Sequence, residues 1–287
     1  MEPSAALLIS FTSHTDAAAR DRLVALLADA GLLAVHEDDV ARPSQWTAHF
    51  SDRESRDAAM AAIRSMTAFD DLRVEAVEIE DDDWARRTQA DLPAVRIGRV
   101  IVAPPWDVPE PAGPAPAADG TTVVVIEPSR GFGTGHHQST RLCLVLLQTR
   151  QLTNRTMIDV GTGSGVLAIA GAMLGAAYVR ASDVDPDAIE NARENIARNG
   201  VAARVEAHTA DVFSATLSPA DVVTANLTAS LLERHAAELT RLLKPGGVLI
   251  AAGFTAEEGD RVTAAFAPAL SLVESAEEEG WQGFVFA

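Results

Sequence analysis

The segment DVGTGSG, residues 159–165, follows the apolar run MIDV and opens a second apolar run expected to be a helix to about residue 175. Glycines at such a turn let the backbone approach a ligand closely, and the helix N-terminus offers free N–H groups. Asp183 and Asp185 follow, at the end of the expected strand YVRASDVD, 178–185. Strand alternation puts both on one side. A carboxylate there can accept both ribose hydroxyls of a nucleoside, so either could serve. Asp183 is favoured, because Asp185-Pro186 reads as a helix N-cap followed by proline at the first helical position. The pattern points to a nucleoside cofactor. A nicotinamide dinucleotide is the rival, with the fingerprint G-x-G-x-x-G. Here Gly161, Gly163 and Gly165 give G-x-G-x-G, and position 166 is Val.

Other reactive side chains carry weaker signals. Asn226 ends the run DVVTANLTA, 221–229, and reads equally well as a turn residue or a functional amide. His137 reads as a helix cap, with proton acceptor as the alternative. The single cysteine, Cys143, excludes an internal disulfide and reads as a packing residue. The seven histidines form no HExxH and no paired Cys/His spacing, so no metal site is expected.

These residues need elements to position them. From residue 121, strands and helices alternate, which implies a parallel sheet covered on both faces. Expected strands are 121–126, 157–160 and 178–185, then RVEAHTAD, DVVTANL and GGVLIAAG, with a helix over 230–243. LLKPGG, 242–247, reads as a helix end, a turn and a strand start. SLVESAEEEGWQGFVF reads as a terminal hairpin. Residues 1–80 follow a different plan, β-α-β-β-α-β, the ferredoxin-like motif. Its second helix begins at the capping-box spacing of Ser51 and Glu54. Between the two lies a connector, 81–120. It holds VRIGRVIVAPPW, read as one strand, and the proline-rich PEPAGPAPAADG, read as a stiff spacer. Trp84 and Trp106 read as packing residues at the junction.

The chain has 287 residues, 23 Lys+Arg against 41 Asp+Glu, and a net charge of −18. Phosphate backbones repel such a chain, so nucleic acid is disfavoured as a partner. Such a chain could attract a basic protein instead, but the favoured reading of the charge alone is solubility. No targeting segment is read. Residues 160–179 carry no charge, but their glycines fit a loop and a short buried helix better than a membrane span. The expectation is a soluble, cytoplasmic protein.

The order of motifs, with the terminal hairpin, resembles class I methyltransferases that use S-adenosyl-L-methionine. The segment IEPSRGFGTGHHQSTRLCL, 126–144, narrows the resemblance to the PrmA family, which methylates protein eleven of the large ribosomal subunit. The chain keeps Pro128, Phe132, Gly133, Thr134, Gly135, His137, Thr140, Cys143 and Leu144 of that family's pattern. Asn226, Leu227, Thr228 and Ala229 match its NxxA-like motif. Ser129 and Arg130 depart from it, as does His136. The resemblance is specific over 126–247 and topological over 1–80.

The resemblance implies a doubly wound, Rossmann-like α/β sheet with a small ferredoxin-like α+β domain. It implies a substrate-recognition domain at 1–80 and a methyltransferase domain at 121–287. Gly161 and Gly163 would line the methionine end of the cofactor, Asp183 would hold the ribose, and Asp211 would lie near the adenine. Thr140 and Asn226 match further cofactor-contacting positions. The implied reaction methylates lysine or N-terminal amines of the ribosomal protein. Asn226, with the Leu227 carbonyl, would orient the amine. The alternative is a related methyltransferase acting on another protein lysine, of the electron-transfer flavoprotein type, or on a small molecule. Oligomeric state is not legible.

Overall fold

A computed structural model describes residues 4–11, 23, 26–27, 30–37, 45–50, 52–66, 72–79, 92–109, 119–128, 135–213 and 217–287. The chain forms two compact units, Met1–Arg87 and Thr88–Ala287.

The first unit contains β1 (Ser4–Ser10), β2 (Leu32–Glu37), β3 (Gln45–Phe50), α1 (Arg53–Ser65) and β4 (Arg73–Ile79). The strands lie in the order β2-β3-β1-β4, every neighbour antiparallel. Strand alternation turns Trp46, Ala48 and Phe50 inward beside Leu7 and Ile9, and α1 covers them with Ala59 and Ile63. Of the first helix, expected over 16–30, Leu23, Leu26 and Leu27 are helical and Ala30 is already a turn, its N–H donating to the Leu27 carbonyl at 3.1 Å; the remaining residues lie outside the described ones. Asp52, not Ser51, caps α1. Its carboxylate accepts from Ser55 N at 2.7 Å, where a negative charge also suits the helix dipole.

The second unit is built on a seven-stranded sheet of β8 (Thr156–Val160), β9 (Tyr178–Asp183), β10 (Val205–Thr209), β11 (Ala220–Asn226), β12 (Leu243–Thr255), β13 (Leu272–Glu278) and β14 (Trp281–Phe286). These lie in the order β10-β9-β8-β11-β12-β14-β13. The first five run parallel, and the β13–β14 hairpin adds antiparallel strands. Consecutive residues feed opposite faces. Ile250, Ala252 and Val285 pack on one side, and Leu249, Ala251, Phe284 and Phe286 on the other. The helices are α2 (Gln138–Gln148), α3 (Val166–Met173), α4 (Pro186–Arg198), α5 (Ala229–Arg234), α6 (Ala236–Arg241) and α7 (Gly259–Phe266). The sheet order reverses at β8, which lies between β9 and β11. In open α/β sheets ligands bind at the carboxyl ends of the strands beside that switch.

Several elements differ from the sequence reading. VRIGRVIVAPPW is a hairpin, β5 (Val95–Ile97) and β6 (Val100–Ala103), turning at Gly98 and Arg99. β7 (Thr122–Val125) pairs in parallel with β6, so this strand belongs to a separate three-stranded sheet. The helix expected over 230–243 is two helices, because His235 leaves the helical region at φ −112, ψ 22. The PGG turn of LLKPGG is already part of β12. The helix α7 has no counterpart in the sequence reading. The charge-free stretch 160–179 is a strand end, a turn, the short buried α3 and the start of β9. No helix among the described residues is long and apolar enough to cross a membrane. Trp106 is 48% exposed, its indole N–H donating to the Leu92 carbonyl, so it is a surface residue rather than a packing one. Trp84 lies outside the described residues.

Candidate active site

The glycine-rich turn leaves β8 and is pinned at once. Gly161 N and Thr162 N both donate to the Ser182 carbonyl of β9, at 2.9 and 3.0 Å. Gly161 has φ +67, and a Cβ there would lie 2.7 Å from Leu227 Cδ2. The left-handed backbone is what calls for glycine here, and the Leu227 side chain packs against its open face. Beneath the turn sits Asp159, 1% exposed. Its carboxylate accepts from Thr162 Oγ1 and Thr224 Oγ1, both at 2.6 Å, tying the turn to β11. Burial pushes its carboxyl up to about 6, against the opposing pull of the two threonine hydroxyls. In the sequence Asp159 is the one charged residue of the run MIDV, and that interruption is the available signal of a structural role.

Asp183 ends β9 beside the turn. One carboxylate oxygen accepts from Gly163 N at 3.0 Å and the other from Asp185 N at 3.1 Å. An ionised carboxylate has about four acceptor sites, so each oxygen keeps one for a ligand hydroxyl. The chemistry of this donor set fits a ribose diol. Asp185 is committed elsewhere, accepting from Asp187 N at 2.9 Å as the cap of α4, which supports the choice between the two acids. Asp211 is exposed after β10, and its carboxylate turns the chain by accepting from Phe213 N at 2.9 Å.

Asn226 ends β11 on the other side of the switch. Its Nδ2 donates to Thr140 Oγ1 at 3.3 Å, joining two candidate residues. Thr140 rides on the first turn of α2, 3% exposed. That helix is held along its length. His137 caps it, accepting from Ser139 N at 3.2 Å, and its ring meets the Trp281 ring edge-on at 4.5 Å. Burial, and then the Arg141 charge, lower the His137 pKa, which favours the neutral ring that a cap needs. Arg141 pairs with Glu278 at 2.8 Å, and Gln138 donates to Glu279, so the terminal hairpin anchors the start of α2. At its far end Gln148 donates to the Ile97 carbonyl at 3.0 Å and accepts from Arg99 N at 2.8 Å. Cys143 is fully buried in α2, its thiol pushed up by burial, an inert packing residue as expected.

Two side chains whose long-range bonds the sequence does not announce connect the pieces. Asn195 of α4 donates to the Ser164 carbonyl at 3.0 Å and accepts from Glu127 N at 2.9 Å. Asn199, one turn on, accepts from Val125 N at 2.8 Å and donates to the Val125 carbonyl at 2.7 Å. Together they key the 122–127 strand end to the glycine-rich turn. Of the segment 126–144, residues 129–134 lie outside the described residues, including Ser129, Arg130, Phe132, Gly133 and Thr134.

Thr140, Gly161, Gly163, Asp183 and Asn226 thus meet at the carboxyl ends of β8, β9 and β11. The fold and this arrangement define a class I methyltransferase. The solved structure of a ribosomal protein L11 methylase from Lactobacillus delbrueckii subsp. bulgaricus has the same fold, at TM-score 0.62 and 24% identity, covering 68% of this chain and 98% of that one. The family described as ribosomal protein L11 methyltransferase (PrmA) matches residues 2–287, and the chain belongs to that family. A ribosomal protein L11 methyltransferase of Azotobacter vinelandii is 34% identical over 288 residues, 95% of each chain. One of Cupriavidus pinatubonensis is 37% identical over 241 residues, 83% of this chain and 77% of its own.

Proposed function

We propose that this protein methylates lysine or N-terminal amines of ribosomal protein L11, using S-adenosyl-L-methionine. Family membership supports the substrate. The observation that carries the chemistry is the Asn226 amide, held by Thr140 at the end of β11 opposite the glycine-rich turn. Gly161, Gly163 and Asp183 are the residues to hold the cofactor, with Thr140 beside them and Asp211 on the adenine side. When bound, the cofactor supplies a methyl group on a positively charged sulfur. The protein's own task is to present a neutral amine in line with it.

A lysine amine with pKa about 10.4 is protonated at pH 7, and neutralising it costs roughly 4–5 kcal/mol. Solvent can take that proton before the amine enters a desolvated pocket. Asn226 Oδ1 and the Leu227 carbonyl then accept the two remaining N–H bonds and aim the lone pair, which is catalysis by positioning. The residues that would hold the cofactor leave its methyl group to be taken by the amine nitrogen whose lone pair these two oxygens aim. Residues 1–80 are proposed as the substrate-recognition domain, 81–120 as the connector and 121–287 as the methyltransferase domain, in a cytoplasmic protein. The net charge of −18 suits a basic ribosomal partner, so KM for L11 should rise with salt, and a flat response would leave the charge to solubility.

The test is mass spectrometry of purified L11 after incubation with the protein and S-adenosyl-L-methionine. Mass gains in steps of one methyl group, lost with Asn226→Ala, support the reading. No gain, with cofactor binding intact, would move the substrate to another protein.

A further inference from the structure

We propose that Gly253 is a positioning residue for methyl transfer, acting through the backbone carbonyl of Leu227 and the side-chain oxygen of Asn226. The inference rests on the reading that these two oxygens orient the amine. Gly253 lies where β12 bulges against β14, with Ala252 opposite Gly283 and Phe254 opposite Gln282, so Gly253 is the extra residue. On its other side β12 pairs with β11 up to Asn226 opposite Ala252, and Leu227 N donates to the Ala252 carbonyl at 2.9 Å. The bulge thus falls where the chain carrying the two oxygens leaves the sheet. Bulges re-aim groups in this way.

The space is filled to contact. A Cβ on Gly253 would lie 2.5 Å from the Leu227 carbonyl oxygen, 2.9 Å from its carbon and 3.0 Å from Asn226 Oδ1. Two of those atoms are backbone, so no side-chain rotation relieves the clash. Both oxygens used on the amine are the atoms that a side chain here would displace. Gly253 also has φ +99, a conformation that strains other residues. Gly246, on the same strand, separates the two effects. It has φ +74, and a Cβ there would meet nothing within 4 Å.

The experiment compares Gly253→Ala, Gly246→Ala, Asn226→Ala and the Gly253→Ala/Asn226→Ala double variant in the full-length protein, with L11 and S-adenosyl-L-methionine. Melting temperature, cofactor Kd and kcat at saturating substrates are read for each. Gly253→Ala should lower kcat at least tenfold with cofactor Kd within about threefold. Gly246→Ala should lose stability while kcat stays within twofold. The double variant should be no slower than Asn226→Ala, because both changes remove one constellation. If Gly253→Ala does not fold, Gly253→Asn carries the same Cβ with a side chain that tolerates left-handed backbone, and the same comparison is made with it. A variant at Gly253 that folds and turns over within twofold of wild type, while Asn226→Ala is inactive, overturns the inference and leaves the reading. Full turnover by Asn226→Ala overturns the reading and the inference together.

Discussion

Asn226 and Thr140, 86 residues apart, are joined by a hydrogen bond from the amide Nδ2 to the hydroxyl Oγ1 at 3.3 Å. In this orientation the Nδ2 end of the amide is the one used internally. With Nδ2 committed to Thr140, Oδ1 is the end left to accept from a substrate amine. Thr140 is therefore an orienting group for Asn226 as well as a candidate cofactor contact.

Thr140→Val keeps the shape and removes the hydroxyl. A neutral hydrogen bond contributes about 0.5–1.5 kcal/mol, and 1.4 kcal/mol is about tenfold in rate. At saturating cofactor, kcat should fall about threefold to tenfold, and Thr140→Ser should restore it. A Thr140→Val enzyme with unchanged kcat would show that Asn226 needs no such partner.

Asp183→Asn should weaken the cofactor far more than it slows turnover at saturation. Both Asp183 oxygens accept backbone N–H bonds, from Gly163 and Asp185. An amide must turn an NH2 toward one of those donors and loses the charge that would strengthen bonds to ribose hydroxyls. Bonds to charged groups contribute about 1.5–3 kcal/mol, so Kd should rise roughly tenfold to a hundredfold. Isothermal titration with S-adenosylhomocysteine would measure it, and a Kd within twofold of wild type would remove Asp183 from the ribose.

The difference between what the residues announced and what they concealed is one of range. The G-x-G-x-G turn and the Asp185-Pro186 cap are local devices, each complete within a few residues. They were legible, and they placed Gly161, Gly163 and Asp183. Asn195 looks like an ordinary polar position on an amphipathic helix, and Asn199 like no more than the residue that stops it, until Glu127 and Val125, 68 and 74 residues away, are set beside them. Gly253 sits in an apolar strand, and only Asn226 and Leu227, at and just past the end of the neighbouring strand, explain it. The split at His235 was hidden because both halves keep helical spacing. Asp159 stands out as a charge in an apolar run, but only one of its two threonine partners is local: Thr162 is 3 residues away and Thr224 is 65.

Asn195→Ala should cost more stability than its place on a surface helix suggests. Asn195 is fully buried, and its loss strands the Ser164 carbonyl and Glu127 N. Unmet buried polar groups cost about 1–3 kcal/mol each. Melting should fall by several degrees, and cofactor Kd should rise as the strand end loses its register with the turn. Asn195→Ala with wild-type melting would mean that water replaces both bonds.

Asp159 should leave a signature in the pH dependence of stability. Its carboxyl is raised to about 6 in the folded protein, chiefly by burial. In the unfolded chain an aspartate titrates near 3.9. Between those two values the folded state holds a proton that the unfolded state has released. Stability from this group is therefore greatest below pH 4 and declines as pH rises through 6. The total change is about 3 kcal/mol at 1.36 kcal/mol per unit, and above pH 7 it is complete. Asp159→Asn keeps an acceptor for the threonine hydroxyls but cannot ionise. Urea melts of wild type and Asp159→Asn between pH 4 and 7.5 isolate the effect, because every other titrating group is common to both. The stability of the Asn variant relative to wild type should grow across pH 4 to 6 and then level off. A difference that stays constant with pH would mean that Asp159 ionises normally beneath the turn, and the two short threonine bonds would then be holding a carboxylate rather than an acid.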